Sequence, residues 1–310
     1  MIREAYGARL KDKQILQHSS SGGVFTSFAR QCLNEGGRVV CTVYDYQQQK
    51  PHYVMIDTLK QLDQDHSTKY IQSDKGDIFR ESASYLKQDP SHFILFTGTG
   101  CEAEGFRLFM QNKGLRDQVM IIDLICFGAL SPQFWNTYQQ QLQHKSGQLN
   151  FLNFRDKRNG WKQTCPVAIC DQKEVLIYDF LSFYNQACVI RPSCYHCPFT
   201  KKERKSDITI GDFWGMEEVI PDFYDPSGTS VVLIHSEKGK QFFQHAADQL
   251  EICACDWDSV DQPRLRIPTA LPEDREAFWN CFHKEGIRGL EKRRKRQNIL
   301  KRGMNLWKKR

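Results

Sequence analysis

No stretch of the sequence approaches the roughly 20 consecutive apolar residues that a membrane-spanning helix requires, and Met1-Ile2-Arg3-Glu4 opens without the apolar run of a secretory signal. A cytoplasmic protein is the expectation. Internal repeats and low-complexity linkers are missing too, so nothing sharp marks a domain boundary. A second C-x-x-C pair is absent, and with it the usual framework of a zinc ribbon. No side chain stands out as a general acid, which leaves proton donors unassigned.

What is present is ordinary globular chemistry, with 310 residues, 40% hydrophobic and 26% charged, enough for one large core or two in contact. Twelve cysteines without an export signal fit a disulfide framework poorly, because cytosolic thiols are kept reduced. Metal or redox use becomes the first question. The formal charge of +6 is misleading, since Glu291 to Arg310 hold ten Lys/Arg and one acidic residue. Without them the body carries 33 basic against 36 acidic side chains. Such a tail suits a peripheral membrane surface or an acidic partner, with no specific nucleic acid expected; a solvated helical terminus has the same composition.

Along the chain, after a short extended start, His18 to Leu33 runs from a Ser/Gly loop into apolar residues at helical spacing, and Gly36-Gly37 ends that helix. Arg38 to Tyr44 and Tyr53 to Ile56 read as strands. His92 to Phe96 ends in Thr97-Gly98-Thr99-Gly100-Cys101 and a helix; Val119 to Ile125 repeats the design, ending in Cys126-Phe127-Gly128 and the helix Pro132 to Leu142. Consecutive strand-loop-helix units predict an α/β fold, with a mostly parallel sheet and helical crossovers in the N-terminal half. All strand C-termini then lie along one edge, where ligands bind, so Cys101 and Cys126 share that edge. Past Asn150, the short alternating runs FLNFRD, PVAICD and EVLIYD predict antiparallel strands, followed by a cysteine-rich segment from Arg191 to Thr200, a strand Ser206 to Gly211, a strand, turn and helix from Thr229 to Leu250, and a remainder that reads as irregular and then helical. The organisation expected is an α/β portion over 1–150, a mixed α/β portion over 151–290 and the basic tail over 291–310.

Cys194-Tyr195-His196-Cys197-Pro198 is the sharpest local signal, because two intervening residues let both thiolates turn toward one ion or cluster. Two further ligands have to come from elsewhere. Cys101 and Cys126, each in a glycine-containing loop at a strand end, are the candidates. Four thiolates suit either zinc or an iron-sulfur cluster; the glycine neighbours lean toward the cluster, since backbone N–H groups can reach its sulfurs. Cys32, Cys41, Cys165, Cys170, Cys188, Cys253, Cys255 and Cys281 are assigned to packing. Ser19-Ser20-Ser21-Gly22-Gly23 at a helix start favours a phosphate or an anionic ring edge, and an N-cap with a flexible approach looks the same. Lys69 and Tyr70 supply a cation and an aromatic usable for a dinucleotide, or a surface strand. Asp156, Lys157, Gly160 and Trp161 read as a structural polar turn, and Arg191 as a counter-charge for a thiolate centre or a surface arginine.

Taken in order, SSSGGVF, KYIQS, FTGTGCE, DLICFGALSP, FRDKRNGW, RPSCYHCPF, RKSDITIGDFWG and GTSVVLIHSEKG resemble the coenzyme F-420 hydrogenase/dehydrogenase beta-subunit family, over about Ser19 to Phe278. The resemblance implies a flavoprotein binding FAD, with a four-iron, four-sulfur (4Fe-4S) cluster whose ligands match Cys101, Cys126, Cys194 and Cys197. The family's flavin-contacting segments look like Ser21, Gly22 and Gly23, then Lys69 and Tyr70, then Gly98 and Thr99. Its members include reducers of the deazaflavin coenzyme, plant chlorophyll-ring reductases and bacterial proteins of unclear substrate, some encoded beside polysaccharide-assembly enzymes; this chain looks like the last group. The amino-terminal ferredoxin-like module common among relatives is missing, so the expected electron source is a separate donor such as a ferredoxin or reductase, with a small-molecule acceptor. The family's Gly-Thr-Pro-Cys-Gln stands here as Gly98-Thr99-Gly100-Cys101-Glu102, and its Cys-His-Gly as Cys126-Phe127-Gly128. The expected function is an iron-sulfur flavoprotein oxidoreductase, with an electron-transfer subunit of a larger complex and a zinc-stabilised, non-catalytic binding protein as alternatives.

Overall fold

The computed structural model of the chain describes residues 2–63 and 67–307, with side chains described as far as residue 296. Its strands are β1 (Glu4–Leu10), β2 (Arg38–Asp45), β3 (Lys50–Ile56), β4 (Ile94–Thr99), β5 (Val119–Leu124), β6 (Leu149–Asp156), β7 (Cys165–Cys170), β8 (Lys173–Leu176), β9 (Ile208–Asp212), β10 (Ser230–Ile234) and β11 (Leu250–Cys255). Eight of them form one sheet in the order β11-β1-β10-β9-β5-β4-β2-β3. Its centre, β9, β5, β4 and β2, is parallel, and the remaining pairs are antiparallel. Strands on both sides of residue 150 share this sheet.

The reason lies in the burial. The first five residues of β4 and of β5 are buried, as central strands of a helix-covered sheet must be. Phe28 of the Val24–Asn34 helix and Phe242 and Phe243 of the Glu237–Ala246 helix cover one face, while Phe106 of the Gly100–Asn112 helix stacks on Phe96 at 4.2 Å on the other. The C-terminal ends of β2, β4, β5 and β9 come out along a single edge.

Above that edge sits a cap. It consists of the antiparallel sheet β6-β7-β8 and the helices Pro132–Ser146 and Tyr178–Asn185, closed over Trp135, Phe154, Phe180 and Phe183. Tyr44 at the end of β2 holds the cap down by donating to Gln139 (2.7 Å) and accepting from Trp135 Nε1 (3.0 Å). The final helix, Arg275–Trp307, breaks at Gly286 (φ 62°). Beyond the break, Glu291 approaches Lys145, Arg293 pairs with Asp274, and Arg294 lies over the Phe183 ring. The tail's outer side chains, beyond residue 296, lie outside the described residues. Among the described residues no helix is long and apolar enough to cross a membrane.

Three elements differ from the sequence reading. Lys13–His18 is a helix where an extended start is expected, begun by Asp12, whose carboxylate accepts from the amides of Gln14 and Ile15. Tyr178 opens a helix instead of ending a strand. Leu250–Cys255, read as irregular, is β11, recruited as an edge partner by β1.

One buried polar group in this frame titrates usefully. His235 is 4% exposed, and its Nε2 lies 2.7 Å from Thr209 Oγ1, whose own proton goes to Asp123. Nε2 therefore carries the hydrogen, and Nδ1 is buried without a partner. Protonation would place an unsatisfied N–H there, and burial pushes His235 down to about 4. Since the folded value is depressed below the unfolded one, the unfolded chain binds the proton first as pH falls. Stability is complete above about pH 6.5 and falls by roughly 3 kcal/mol on the way to pH 4. His235→Gln is expected to flatten that part of the urea-unfolding profile; an unchanged slope would exclude His235 as its source.

Candidate cysteine site at the strand edge

β4 runs out through Gly98 and Thr99 into the Gly100–Asn112 helix, which Thr99 and Glu102 start by a reciprocal capping box. Cys101 is thereby fixed in the first turn, exposed, with its Sγ 3.2 Å from Thr99 Oγ1. Cys126 follows β5 by two residues; the Ile125 amide still bonds to Ile210 of β9, so the pairing delivers Cys126 to the same edge. Cys194 and Cys197 come from the other side, on the tight turn Pro192–His196. Ser131 N–H to Val189 O and Arg191 N–H to Ala129 O, 2.9 and 3.0 Å, stitch that segment to the Cys126 loop.

The four thiols lie within one another's electrostatic reach. Cys126 is pushed up to about 12, by burial first and then by Cys194, with Cys101 and Cys197 adding. Cys197 is raised by burial, then by Cys101 and Cys194. The Gly128 amide donates to the Cys126 sulfur and the Phe199 amide to that of Cys197, and both donors favour thiolate. The buried guanidinium of Arg204, paired with Asp123 at 2.8 Å, also favours a thiolate at Cys197. All twelve cysteines are free of disulfides. Among the described residues no three His, Cys, Asp or Glu side chains are gathered around one ion-sized point; the four thiols share a neighbourhood rather than a closed cage.

The residues proposed for a dinucleotide flank this neighbourhood. Gly23 adopts φ 75°, and a side chain on Gly22 or Gly23 would strike the Ala8 carbonyl or Leu10, so both glycines let the loop press onto β1. The segment 67–75 crosses the strand edge. Thr68 N–H donates to Ser20 Oγ (2.8 Å), Leu130 N–H to the Tyr70 carbonyl (2.9 Å), and Lys75 Nζ pairs with Glu102 (3.0 Å). It thus touches the Ser/Gly loop, the Cys126 loop and the Thr99 turn in succession. Lys69 Nζ binds the carbonyl and hydroxyl of Ser67. Tyr70 stacks on Tyr184 at 4.5 Å, and Gly98 leaves room for the Tyr53 hydroxyl.

Matches to family models decide what kind of chain this is. Residues 92–259 match the C-terminal part of the beta subunit of coenzyme F420 hydrogenase/dehydrogenase, and residues 5–76 match its N-terminal part. The chain belongs to this beta-subunit family. It is also similar to one of the subunits of the F(420)H(2) dehydrogenase of Methanosarcina mazei, 24% identical over 261 residues, covering 81% of this chain and 65% of that relative's length. A solved chain from a xenon-derivatised F420-reducing NiFe hydrogenase complex of Methanosarcina barkeri has the same fold, with a TM-score of 0.54 over 95% of this chain and 92% of that one, at 16% identity.

In this beta-subunit family member the sequence reading passed over several residues that organise the site. Arg155 and Asp212, from β6 and β9, form a bidentate pair at 2.6 and 3.1 Å; Asp212 also accepts from Trp161 Nε1 (2.9 Å), and Arg155 donates to Tyr70. The Arg204 guanidinium bears on Cys197 and favours its thiolate. Lys157, read as part of a structural turn, is 5% exposed and donates to the carbonyls of Leu16 (2.8 Å), Ser21 (2.5 Å) and Ser227 (2.6 Å). Three acceptors use all three ammonium protons, so one side chain from the cap clamps the Ser/Gly loop to the Ser227 turn. Lys157→Met is expected to cost about 2–3 kcal/mol, by stranding buried carbonyls, and to weaken whatever the loop binds. Urea unfolding with an unchanged midpoint would show that the clamp carries no load.

Proposed function

We propose that the chain is an oxidoreductase subunit that moves electrons between a 4Fe-4S cluster held by Cys101, Cys126, Cys194 and Cys197, an FAD seated by Ser21, Gly22, Gly23, Lys69, Tyr70, Gly98 and Thr99, and a small organic acceptor. The observation that carries the reading is the convergence of four thiols from three separate segments, with amide donors to two of the sulfurs. That donor set contains no carboxylate or imidazole, which suits a soft, thiolate-ligated centre. For the flavin, support comes from the family resemblance and from the segment 67–75, which links the three groups of candidate residues. The α-helix beginning at Val24 adds amide groups without intrahelical acceptors, a favourable end for a pyrophosphate.

When bound, the cluster would exchange single electrons and the flavin would collect them in pairs. The chain's own work is positional. The capping box fixes Cys101, the β5 to β9 pairing fixes Cys126, and Lys157 fixes the Ser/Gly loop. Tyr184 donates to the Gly128 carbonyl (2.7 Å) while stacking on Tyr70, which packs the Cys126 loop against the segment 67–75.

A role within a larger assembly, fed by a ferredoxin or reductase, fits both relatives, one a component of a dehydrogenase and the other a chain of a hydrogenase complex. Anaerobic purification followed by iron, sulfide, zinc and flavin analysis tests the reading. Brown protein with about four irons per chain supports it; colourless protein with stoichiometric zinc overturns it in favour of a zinc-stabilised binding protein.

A further inference from the structure

The surroundings of Cys101 hold a charge that the cofactor-binding groups do not require. Glu102 follows Cys101 directly, and its side chain is 11% exposed. Its Oε2 accepts from the Thr99 amide (3.1 Å), the Thr99 hydroxyl (2.8 Å) and the Tyr53 hydroxyl (2.9 Å), and its Oε1 pairs with Lys75 Nζ at 3.0 Å. Four donors and no competing acceptor keep this carboxylate ionised. Thr99 Oγ1 meanwhile lies 3.2 Å from Cys101 Sγ, so one hydroxyl bridges the carboxylate and the sulfur, which are within about 6 Å of each other.

A hydroxyl has a single proton to give. A carboxylate can only accept, so the Thr99 proton is committed to Glu102, and toward the sulfur Thr99 presents a lone pair. Cys101 bound as a thiolate therefore receives no hydrogen bond from Thr99, and it faces an anion across that one hydroxyl. Both effects disfavour adding an electron to a thiolate-bound centre, because hydrogen bonds to sulfur and positive charge nearby are what raise its potential. Lys75, 35% exposed, offsets part of the anion.

Resting on the cluster reading above, we infer that Glu102 and Lys75 form a potential-setting pair for the group bound at Cys101, with Glu102 lowering its reduction potential and Lys75 limiting how far. A glutamine at 102 keeps the shape and the helix cap. Its carbonyl oxygen, kept toward Thr99, still accepts from the Thr99 amide and hydroxyl, and its amide nitrogen takes the place of the oxygen that faces Lys75. The substitution thus removes the charge and leaves the Thr99 hydrogen bonds in place.

The test is a potentiometric titration, followed by electron paramagnetic resonance, of the anaerobically purified full chain as wild type, Glu102→Gln, Lys75→Met and the double variant. Glu102→Gln is expected to shift the midpoint upward, favouring the reduced form by about tenfold at fixed potential, and Lys75→Met to shift it downward. In the double variant the two shifts should largely cancel, because the two charges act on the centre in opposite directions. Lys75→Met lies toward the surface and keeps the inference testable if Glu102→Gln folds poorly. Wild-type protein with no iron or sulfide removes the cluster reading and this inference together. Protein with a full cluster and four coincident midpoints overturns the inference alone.

Discussion

Cys126→Ala, purified without oxygen, is expected to lose its iron and sulfide almost completely, falling from about four irons per chain to near zero, while Cys41→Ala keeps both. The contrast is informative because both thiols belong to apolar strand segments that differ in where they place the sulfur. Cys41 lies inside β2, opposite Val54 of β3, and packs into the core. Cys126 is placed past the end of β5, with the Gly128 amide on its sulfur and three further thiols in reach. Because the surroundings of Cys126 include all three of the other thiols, its loss opens the set. The visible spectrum and acid-labile sulfide are the direct readouts. Retention of iron by Cys126→Ala would mean that the thiols meet without sharing a ligand, and the redox proposal would go with it.

Cys101 and Cys126 could be assigned to one edge from the sequence because apolar runs such as Phe93 to Phe96 and Val119 to Ile122 leave no polar face, and helical crossovers then force the strands parallel. That inference needs only local pattern and handedness rules. The C-x-x-C spacing announced Cys194 and Cys197 in the same local way. What stayed hidden depends on contacts far apart in sequence. Arg155 and Asp212 each sit in a recognisable motif, yet their pairing requires β9 to cross back beside β5 and the cap to fold over that edge. β11 was missed because a six-residue edge strand takes its shape from its partner β1. Lys157 was undervalued because a lysine in a polar turn is ordinarily solvated; only the cap's position turns it into a buried clamp. Glu102 was read as a departure beside a ligand, whereas its carboxylate performs the helix cap and carries a charge besides.

Asp212→Ala is expected to be the most damaging single change outside the cysteines, costing about 3–5 kcal/mol. Asp212 is the counter-ion of Arg155, whose side chain is 9% exposed. Burial works against that guanidinium, and Asp212 and Tyr70 together overcome it, so that the Arg155 pKa is raised. Removing the carboxylate leaves a buried cation facing Tyr70, strands the Trp161 indole N–H, and loosens the stack of Trp161 on Trp214, 4.9 Å apart. Arg155 and Tyr70 would move with it, so flavin retention should fall even under conditions where the fold survives. The pair itself is dispensable in principle, because an apolar replacement of both partners avoids the desolvation cost that a lone charge incurs. Arg155→Met combined with Asp212→Leu is therefore expected to recover most of the lost stability in urea without recovering flavin binding. If Asp212→Ala alone unfolds at the wild-type midpoint, or if the double variant is worse than the single, the buried cation is not the source of the penalty, and the Arg155–Asp212 pair does not hold the cap to the sheet edge.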